Sequence, residues 1–227
     1  MSGDLFALFS LVKNSTTKAI LNKKFLIVII VMFFISAVMG YTAVQGSQSL
    51  EECSDLLDIF VISFFLPLMS MIFGSSLIRD EIEDKSITNV LTAPISRPKM
   101  FLGYYFSIVI VSAFAVLLIL TSGFITYFSI SGVDTEAVHI YTGIGRVVAL
   151  GTLVYSSLFL LVSIIIERSL YFGLFYVFIW EGFVGSLPGN IKLVSIRHYL
   201  RSIGKEMLDY GSISIYGDAS GIGASLQ

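Results

Sequence analysis

The sequence predicts an all-α membrane protein, a polytopic bundle of transmembrane helices. Of its 227 residues, 56% are hydrophobic and only 13% are charged, whereas soluble domains carry about 25% charged residues. The uncharged runs 59–78 and 100–133 reach or exceed the roughly 20 apolar residues that cross a bilayer as a helix. These runs are apolar on every face, which favours helices over a β-barrel, because barrel strands alternate apolar and polar residues.

Five candidate spans follow one another along the chain, each rich in Ile, Val, Leu and Phe. We expect helices because a helix satisfies its own backbone hydrogen bonds in lipid. The spans are placed at about 25–44, at about 57–78, within 101–128, and at about 145–166 and 170–187. They define a transmembrane domain over residues 25–187, with residues 1–24 before it and residues 188–227 after it.

Lysine and arginine residues orient the spans, since they accumulate in cytoplasmic loops. With the N-terminus in the cytoplasm, nine of them fall inside and five outside. The inner nine are Lys13, Lys18, Lys23, Lys24, Arg79, Lys85, Arg97, Lys99 and Arg168; the outer five are Arg146, Lys192, Arg197, Arg201 and Lys205. The loop 45–58 has four acids and no base, as an outer loop should. The segment after the fifth span is basic although it is predicted to lie outside, so it is an exception to this distribution of lysine and arginine.

The two terminal segments differ in character. Residues 1–24 predict a helix at the cytoplasmic interface before the first span; a partner-binding helix is the alternative. Residues 188–227 predict an external amphipathic segment followed by a small, polar tail, with no sixth span visible. Cys53 is the only cysteine, which excludes an intramolecular disulfide. No cluster of ligands accompanies the two histidines, so we expect no metal site.

The segment 79–99 separates the second and third spans and holds eight charged residues. Its acids come first and predict a helical extension of the second span. An apolar stripe that includes Ile87 and Leu91 follows, too short to cross a bilayer. This helix is expected to end before Pro94, and Ser96 can cap the next helix. The segment is either a solvated elbow or a docking element for a cytoplasmic protein, and the apolar stripe favours docking.

Several short motifs surround this segment: Arg-Asp-Glu at 79–81, Leu-Thr-Ala-Pro-Ile-Ser-Arg at 91–97 and Phe-Leu-Gly at 101–103. Together they resemble the signature of type 2 ABC transporter permeases. Lys85-Ser86 replaces the usual Gly-Thr of that family, and Tyr104 stands where Lys is frequent. The stretch from Trp180 to Leu200 is similar to the external segment after the fifth span in the same family.

This resemblance implies a permease subunit that exports a substrate with energy from a separate ABC ATPase. Two permease copies pair with two ATPase subunits, and the ATPase binds the ATP and Mg. This chain lacks a phosphate-binding G-x-x-x-x-G-K-[ST] motif, so we expect it to bind no cofactor and to be no enzyme. The family usually has six spans, which favours truncation before a sixth. The alternative function is a non-transport assembly or sensor subunit that docks another cytoplasmic protein.

Three groups of candidate site residues follow. The coupling surface for the ATPase comprises Asp80, Glu81, Glu83, Asp84, Lys85, Ile87 and Leu91. Glu167 and Arg168 form either an interfacial charge pair or a second ATPase contact. Glu181 is an acid inside a predicted span, where ionisable residues are functional candidates. It either pairs structurally with Arg197 or Arg201, or lines a substrate or ion path. Nucleic acid is not an expected partner; the lipid bilayer is.

Overall fold

The computed structural model describes residues 2–45, 50–83, 96–132, 135–166, 168–182 and 195–208. All regular structure in these ranges is helical. The α-helices are α1 (Ser2–Leu21), α2 (Phe25–Gln45), α3 (Leu50–Leu57), α4 (Leu66–Glu83), α5 (Arg97–Ser131), α6 (Thr135–Ile165), α7 (Ser169–Phe175) and α8 (Ile196–Leu208). Two π-helices complete the set: π1 (Asp58–Phe65) joins α3 to α4, and π2 (Tyr176–Glu181) extends α7.

Four stretches are long and apolar enough to cross a membrane, and they coincide with the first four predicted spans. They are Phe25–Val44, Ser54–Leu77, Pro98–Ser131 and Ala137–Ile165. The fifth predicted span begins as a helix, but its described apolar part is only Ser169–Glu181. That part is about 20 Å long at 1.5 Å per residue, short of the roughly 30 Å of a bilayer core. Residues 183–187 lie outside the described part of the chain.

Two helices extend well beyond the predicted spans. The second span is helical from Leu50 rather than from about residue 57, so most of the acidic segment predicted as an outer loop is helix. The helix of the fourth span begins at Thr135, ten residues early, and includes His139. The reason is that apolar residues mark only the part of a helix within lipid, whereas backbone hydrogen bonding continues into the polar layer.

The centre of the bundle is formed by α4, α5 and α6, which pack against one another. Helices α1 and α2 lie along α5, while α7 lies against α4 and α6. Within the apolar stretch of α2, 17% of the residues are buried, against 61% within the second span. Helix α2 therefore faces the surroundings on most of its surface, and the second span is the most enclosed.

One end of the bundle, here called the α1 end, carries the N-terminal helix. A Cβ atom on Gly103 would lie 2.5 Å from Leu11 Cδ2 of α1, so any larger residue there would require the Leu11 side chain to shift. The hydroxyl of Ser107, one turn further along α5, lies 3.5 Å from the carbonyl oxygen of Val12. The small pair Gly103 and Ser107 thus seats α1. The opposite end carries α8 and is called the α8 end.

Candidate functional site

The predicted coupling surface begins on the last turns of α4. This helix continues without a break to Glu83, which confirms the predicted helical extension up to that residue. Asp80, Glu81 and Glu83 therefore lie beyond Leu77, the last residue of α4 whose burial is described. At 1.5 Å per residue, Glu83 is about 9 Å further along the helix axis than Leu77. The remaining members of the predicted surface, Asp84, Lys85, Ile87 and Leu91, lie outside the described residues.

The chain returns to the bundle at the start of α5. Ser96 precedes this helix in an extended conformation and Pro98 lies in its first turn, as predicted, but the Ser96 hydroxyl makes no capping hydrogen bond. Arg168 is exposed at the start of α7, and α7 packs against α4. Arg168 therefore lies at the α1 end, as do the two helix ends that flank the coupling segment. Glu167 is not among the described residues.

At the other end of the bundle, the carboxylate of Glu181 caps helix α8. Glu181 is 1% exposed. It accepts hydrogen bonds from the hydroxyls of Tyr176 at 3.0 Å and Ser195 at 2.6 Å. It also accepts them from the backbone N–H groups of Ile196 at 3.2 Å and Arg197 at 3.3 Å. N–H groups in the first turn of a helix have no intrahelical partner, and a negative charge there is stabilised by the helix dipole.

Glu181 thus pairs with Arg197, one of its two predicted partners, but through the backbone N–H and not through the guanidinium. Arg197 contributes its backbone N–H, and the guanidinium of Arg201 pairs instead with Asp58, the first residue of π1. Arg201 Nε lies 2.7 Å from Asp58 Oδ2, and Arg201 Nη2 contacts the same oxygen. A helix start offers N–H donors that are already fixed in place, whereas a long arginine side chain loses rotamer freedom when it binds.

These contacts belong to one polar cluster at the α8 end. Its members are Asp58, Tyr155, Tyr176, Glu181, Ser195, Arg197 and Arg201. Two carboxylates face two guanidinium groups, so the cluster has no formal net charge. Such a balance is what allows charged groups to lie away from water at acceptable cost.

Each acid of the cluster lies at the end of a π-helix. Asp58 begins π1 and Glu181 ends π2. The two π-helices also contact each other, because the rings of Phe64 and Phe178 pack edge to face with centroids 5.7 Å apart. Segments of π-helix are rare and are frequently found at functional sites. Here they bring both acids to the same helix, α8.

Arg197 lies between the two acids of the cluster. Burial, together with the neighbouring Arg201, lowers the pKa of the Arg197 guanidinium, while Asp58 and Glu181 act in the opposite direction. Arginine stays protonated in proteins, so the result is a charged group with reduced hydration. Next to it lies Tyr155, which is 0% exposed. Arg197 Nε has no hydrogen-bond partner among the described residues, whereas the Tyr155 hydroxyl interacts with the carboxylate of Glu181.

Helix α8 contacts α6 within the apolar stretch of that helix. A Cβ atom on Gly151 would lie 2.7 Å from Leu66 Cδ1 and 3.1 Å from Leu200 Cδ1 of α8. Gly151 is about 21 Å from the Ile165 end of α6 at 1.5 Å per residue. Leu200 therefore contacts α6 at a point well inside the apolar stretch Ala137–Ile165.

The polar cluster was only partly visible in the sequence. Glu181 stood out as an acid in an apolar run, but Asp58, Tyr155, Tyr176 and Ser195 did not. One signal could have found the ion pair: Asp58 immediately precedes the uncharged run 59–78, and Arg201 lies in an amphipathic segment on the same predicted side. The ion pair also gives a reason for the presence of Arg201 on the predicted outer side, although lysine and arginine accumulate in cytoplasmic loops.

These observations define a multi-pass helical membrane protein with charged segments at both ends of its bundle. A family model described as "ABC-2 family transporter protein" matches residues 13–184. The chain belongs to this family, as the motifs around segment 79–99 indicated. It is thus a membrane permease of an ABC transporter in the cell membrane, a transport component and not itself an enzyme. Searches of curated proteins and of solved structures gave no match.

Proposed function

We propose that the chain is the permease subunit of an ATP-driven exporter and that a separate ABC ATPase docks on the segment 79–99. The observation that carries this proposal is the continuity of α4. One unbroken helix leads from the most enclosed part of the bundle to the acids Asp80, Glu81 and Glu83. A movement of the segment 79–99 would therefore be transmitted to the buried part of the bundle by helix α4.

The position of these acids favours docking over a solvated elbow. Acids near the C-terminal end of a helix are unfavourable because that end of the dipole is negative. Like charges at neighbouring helical positions add a few tenths of a kcal/mol per pair. The last turn of α4 has no basic residue that would offset these costs. A cationic surface on the ATPase would offset both the unfavourable helix dipole and the repulsion between the acids. Binding of the ATPase would therefore be strengthened.

Helix α4 also supplies a route from the ATPase to the far end of the molecule. It packs against α5, α6 and α7 and continues through π1 to Asp58 at the α8 end. ATP and Mg bind to the ATPase, and its movement shifts α4 against its neighbours. Arg168, exposed at the same end, serves with Glu167 as a second contact.

We further propose that the transporter contains a second permease copy, as the resemblance of the motifs implies. The cargo is hydrophobic or lipid-like. The support for this is that the four spanning stretches hold only four charged residues, each within ten residues of an end of its stretch: Asp55, Asp58, Lys99 and Arg146. An ionic cargo would need more charged groups along its path.

Co-purification and charge reversal test the docking site. The tagged chain, expressed with the ABC ATPase of its operon or genome neighbourhood, should retain that ATPase in mild detergent. The double variant Glu81→Lys plus Glu83→Lys should lose the permease-dependent ATPase activity. The matched control is Glu51→Lys plus Glu52→Lys, which makes the same change in charge on α3 at the opposite end and should leave the activity intact.

Two results would contradict the proposal. If the unmodified chain recruits no ATPase, the proposed docking of an ATPase on this chain is wrong. A different cytoplasmic protein in its place would support an assembly or sensor subunit. If the Glu81 and Glu83 double variant retains full coupled activity, the ATPase docks elsewhere.

A further inference from the structure

Arg146 on helix α6 differs from the other charged residues of the spanning stretches. Asp58 pairs with Arg201, and Asp55 and Lys99 also have polar interactions. Arg146 is exposed, and it makes no hydrogen bond or ion pair with any residue that the structure describes. Arginine stays protonated in proteins, and charged groups in a membrane-spanning segment are costly unless they are paired. Arg146 therefore needs an anionic partner from outside the described chain.

The face of α6 that carries Arg146 has a polar part and an apolar part. His139, Thr142 and Arg146 follow one another at intervals of three and four residues, so they share one face, and all three are exposed. The hydroxyl of Ser157, further along this face, donates to a backbone carbonyl of α6 itself. Exposed apolar residues continue the face toward the Ile165 end: Leu150, Leu153, Leu161 and Ile164. This face is called the α6 stripe.

The dimensions of the α6 stripe match those of a lipid layer. From Arg146 to Ile165, α6 rises about 28 Å at 1.5 Å per residue, close to the roughly 30 Å of a bilayer core. From Leu150 to Leu161 it rises about 16 Å, about half of that thickness and thus the depth of one leaflet. His139 lies about 10 Å beyond Arg146 on the other side. Helical side chains lean toward the N-terminus, so the guanidinium of Arg146 leans away from the apolar part.

The polar part of the α6 stripe offers hydrogen-bond donors of the kind that bind a phosphate. A guanidinium group presents N–H donors in a planar fork that matches two phosphate oxygens. His139 adds a ring nitrogen two helical turns away, where it can donate to the rest of a headgroup. The hydroxyl of Thr142 already donates to the carbonyl oxygen of His139 at 3.0 Å, so it is left as an acceptor for a headgroup hydroxyl.

We propose that the α6 stripe is a binding site for a phospholipid of the leaflet at the α8 end. The phosphate pairs with Arg146, and the acyl chains lie along Leu150, Leu153 and Leu161. A lipid without a phosphate has the apolar part of this interaction and lacks the ionic part. A second permease copy is a less suitable occupant, because the acids of the spanning stretches, Asp55 and Asp58, already have polar interactions.

This lipid site does not rest on the proposed function. It lies on the outward face of one helix and needs neither an ATPase nor a cargo. The full chain in detergent is therefore sufficient to test it, and the result is independent of the experiments on the segment 79–99.

Native mass spectrometry of the chain measures lipid binding. Phosphatidylglycerol is the probe, and diglucosyl diacylglycerol with the same acyl chains is the lipid without a phosphate. The parent chain should bind its first phosphatidylglycerol at least about 10-fold more tightly than the sugar lipid, because only the phosphate forms charge-assisted hydrogen bonds with Arg146. Arg146→Gln should remove this preference. Arg146→Lys should keep part of it, since lysine binds phosphate as a point charge.

Lys18→Gln is the matched control. Lys18 is an exposed residue of α1, so this variant loses the same charge at the other end of the bundle and should keep the preference of the parent. A preference in Arg146→Gln within twofold of the parent would overturn the lipid site. An equal loss in Lys18→Gln would show a general effect of charge and would overturn it as well.

A measurement of unfolding separates lipid binding from a structural role of Arg146. The fluorescence of Trp180, the single tryptophan, is followed while dodecyl sulfate is titrated. Without lipid, the parent and Arg146→Gln should unfold alike, because Arg146 has no bond to lose within the described chain. Phosphatidylglycerol at 100 times its dissociation constant should shift the equilibrium about 100-fold toward the folded parent and much less toward the folded variant. An equal shift in both chains would contradict the proposal.

Two further outcomes would overturn the choice of a lipid as the occupant. Millimolar inorganic phosphate should leave phosphatidylglycerol bound, because it has no chains to contact Leu150 and Leu153; displacement would show a site for a free anion. A loss of dimers in Arg146→Gln, with lipid binding unchanged, would show that the α6 stripe contacts a second permease copy. Neither outcome bears on the proposed function, whose test measures the docking of an ATPase on the segment 79–99.

Discussion

Replacement of Glu181 by glutamine tests the capping of α8 with minimal change in size. The carboxylate accepts from a hydroxyl and a backbone N–H on each of its oxygens. Glutamine keeps one acceptor oxygen and replaces the other with an NH2 donor. The hydroxyls of Tyr176 and Ser195 can rotate to accept from that donor, but a backbone N–H cannot. In either orientation of the amide, one N–H of Ile196 or Arg197 loses its acceptor.

The expected loss of stability follows from the hydrogen bond that Glu181→Gln removes. A hydrogen bond to a charged group contributes about 1.5–3 kcal/mol, and a buried donor left without a partner costs about 1–3 kcal/mol. Polar contacts between helices in membranes lie lower, on average about 0.6 kcal/mol. We therefore expect Glu181→Gln to reduce the free energy of unfolding by about 2 kcal/mol, roughly 30-fold in the equilibrium constant. Glu181→Ala should cost at least about 3 kcal/mol, because all four donors lose their acceptor.

The chain carries its own reporter for this measurement. Trp180 is the only tryptophan and precedes Glu181 at the end of π2. Its fluorescence, followed while dodecyl sulfate is titrated into mixed micelles, gives the free energy of unfolding. Asp4→Asn, which removes a carboxylate from α1 at the other end, should change it by less than about 0.5 kcal/mol. A change equally small for Glu181→Gln would refute the capping role.

Two further changes test the packing of the bundle. Gly103→Leu should displace α1 from α5, because even a Cβ atom there would lie 2.5 Å from Leu11 Cδ2; faster hydrogen exchange of α1 amides would show it, and unchanged exchange would contradict it. Ser112→Ala should reduce the free energy of unfolding by about 0.6 kcal/mol, because the hydroxyls of Ser112 and Ser156 lie 3.2 Å apart between α5 and α6. Removal of both hydroxyls should cost little more than one; a cost near the sum of the two would argue against a shared bond.

The spans could be predicted from the sequence because the bilayer acts as a uniform solvent. A run such as 59–78 excludes charge over the full apolar thickness, and the backbone must then be helical. Helix boundaries were less predictable, as Leu50 and Thr135 show, because helices continue past the lipid into water. The start of α5 after Ser96 was readable, since proline and a polar residue mark helix starts locally.

The sequence by itself determined the class of protein, the order of its spans and the charged segment 79–99, because those depend on composition and local spacing. Only the tertiary structure decided how the charges at the α8 end are paired. Arg201 lies 143 residues from Asp58 along the chain, and no local pattern joins them. Likewise, Glu181 reaches the start of α8 only because packing brings π2 and that helix together. The N–H groups of the first helical turn need an acceptor there, and the buried carboxylate supplies it.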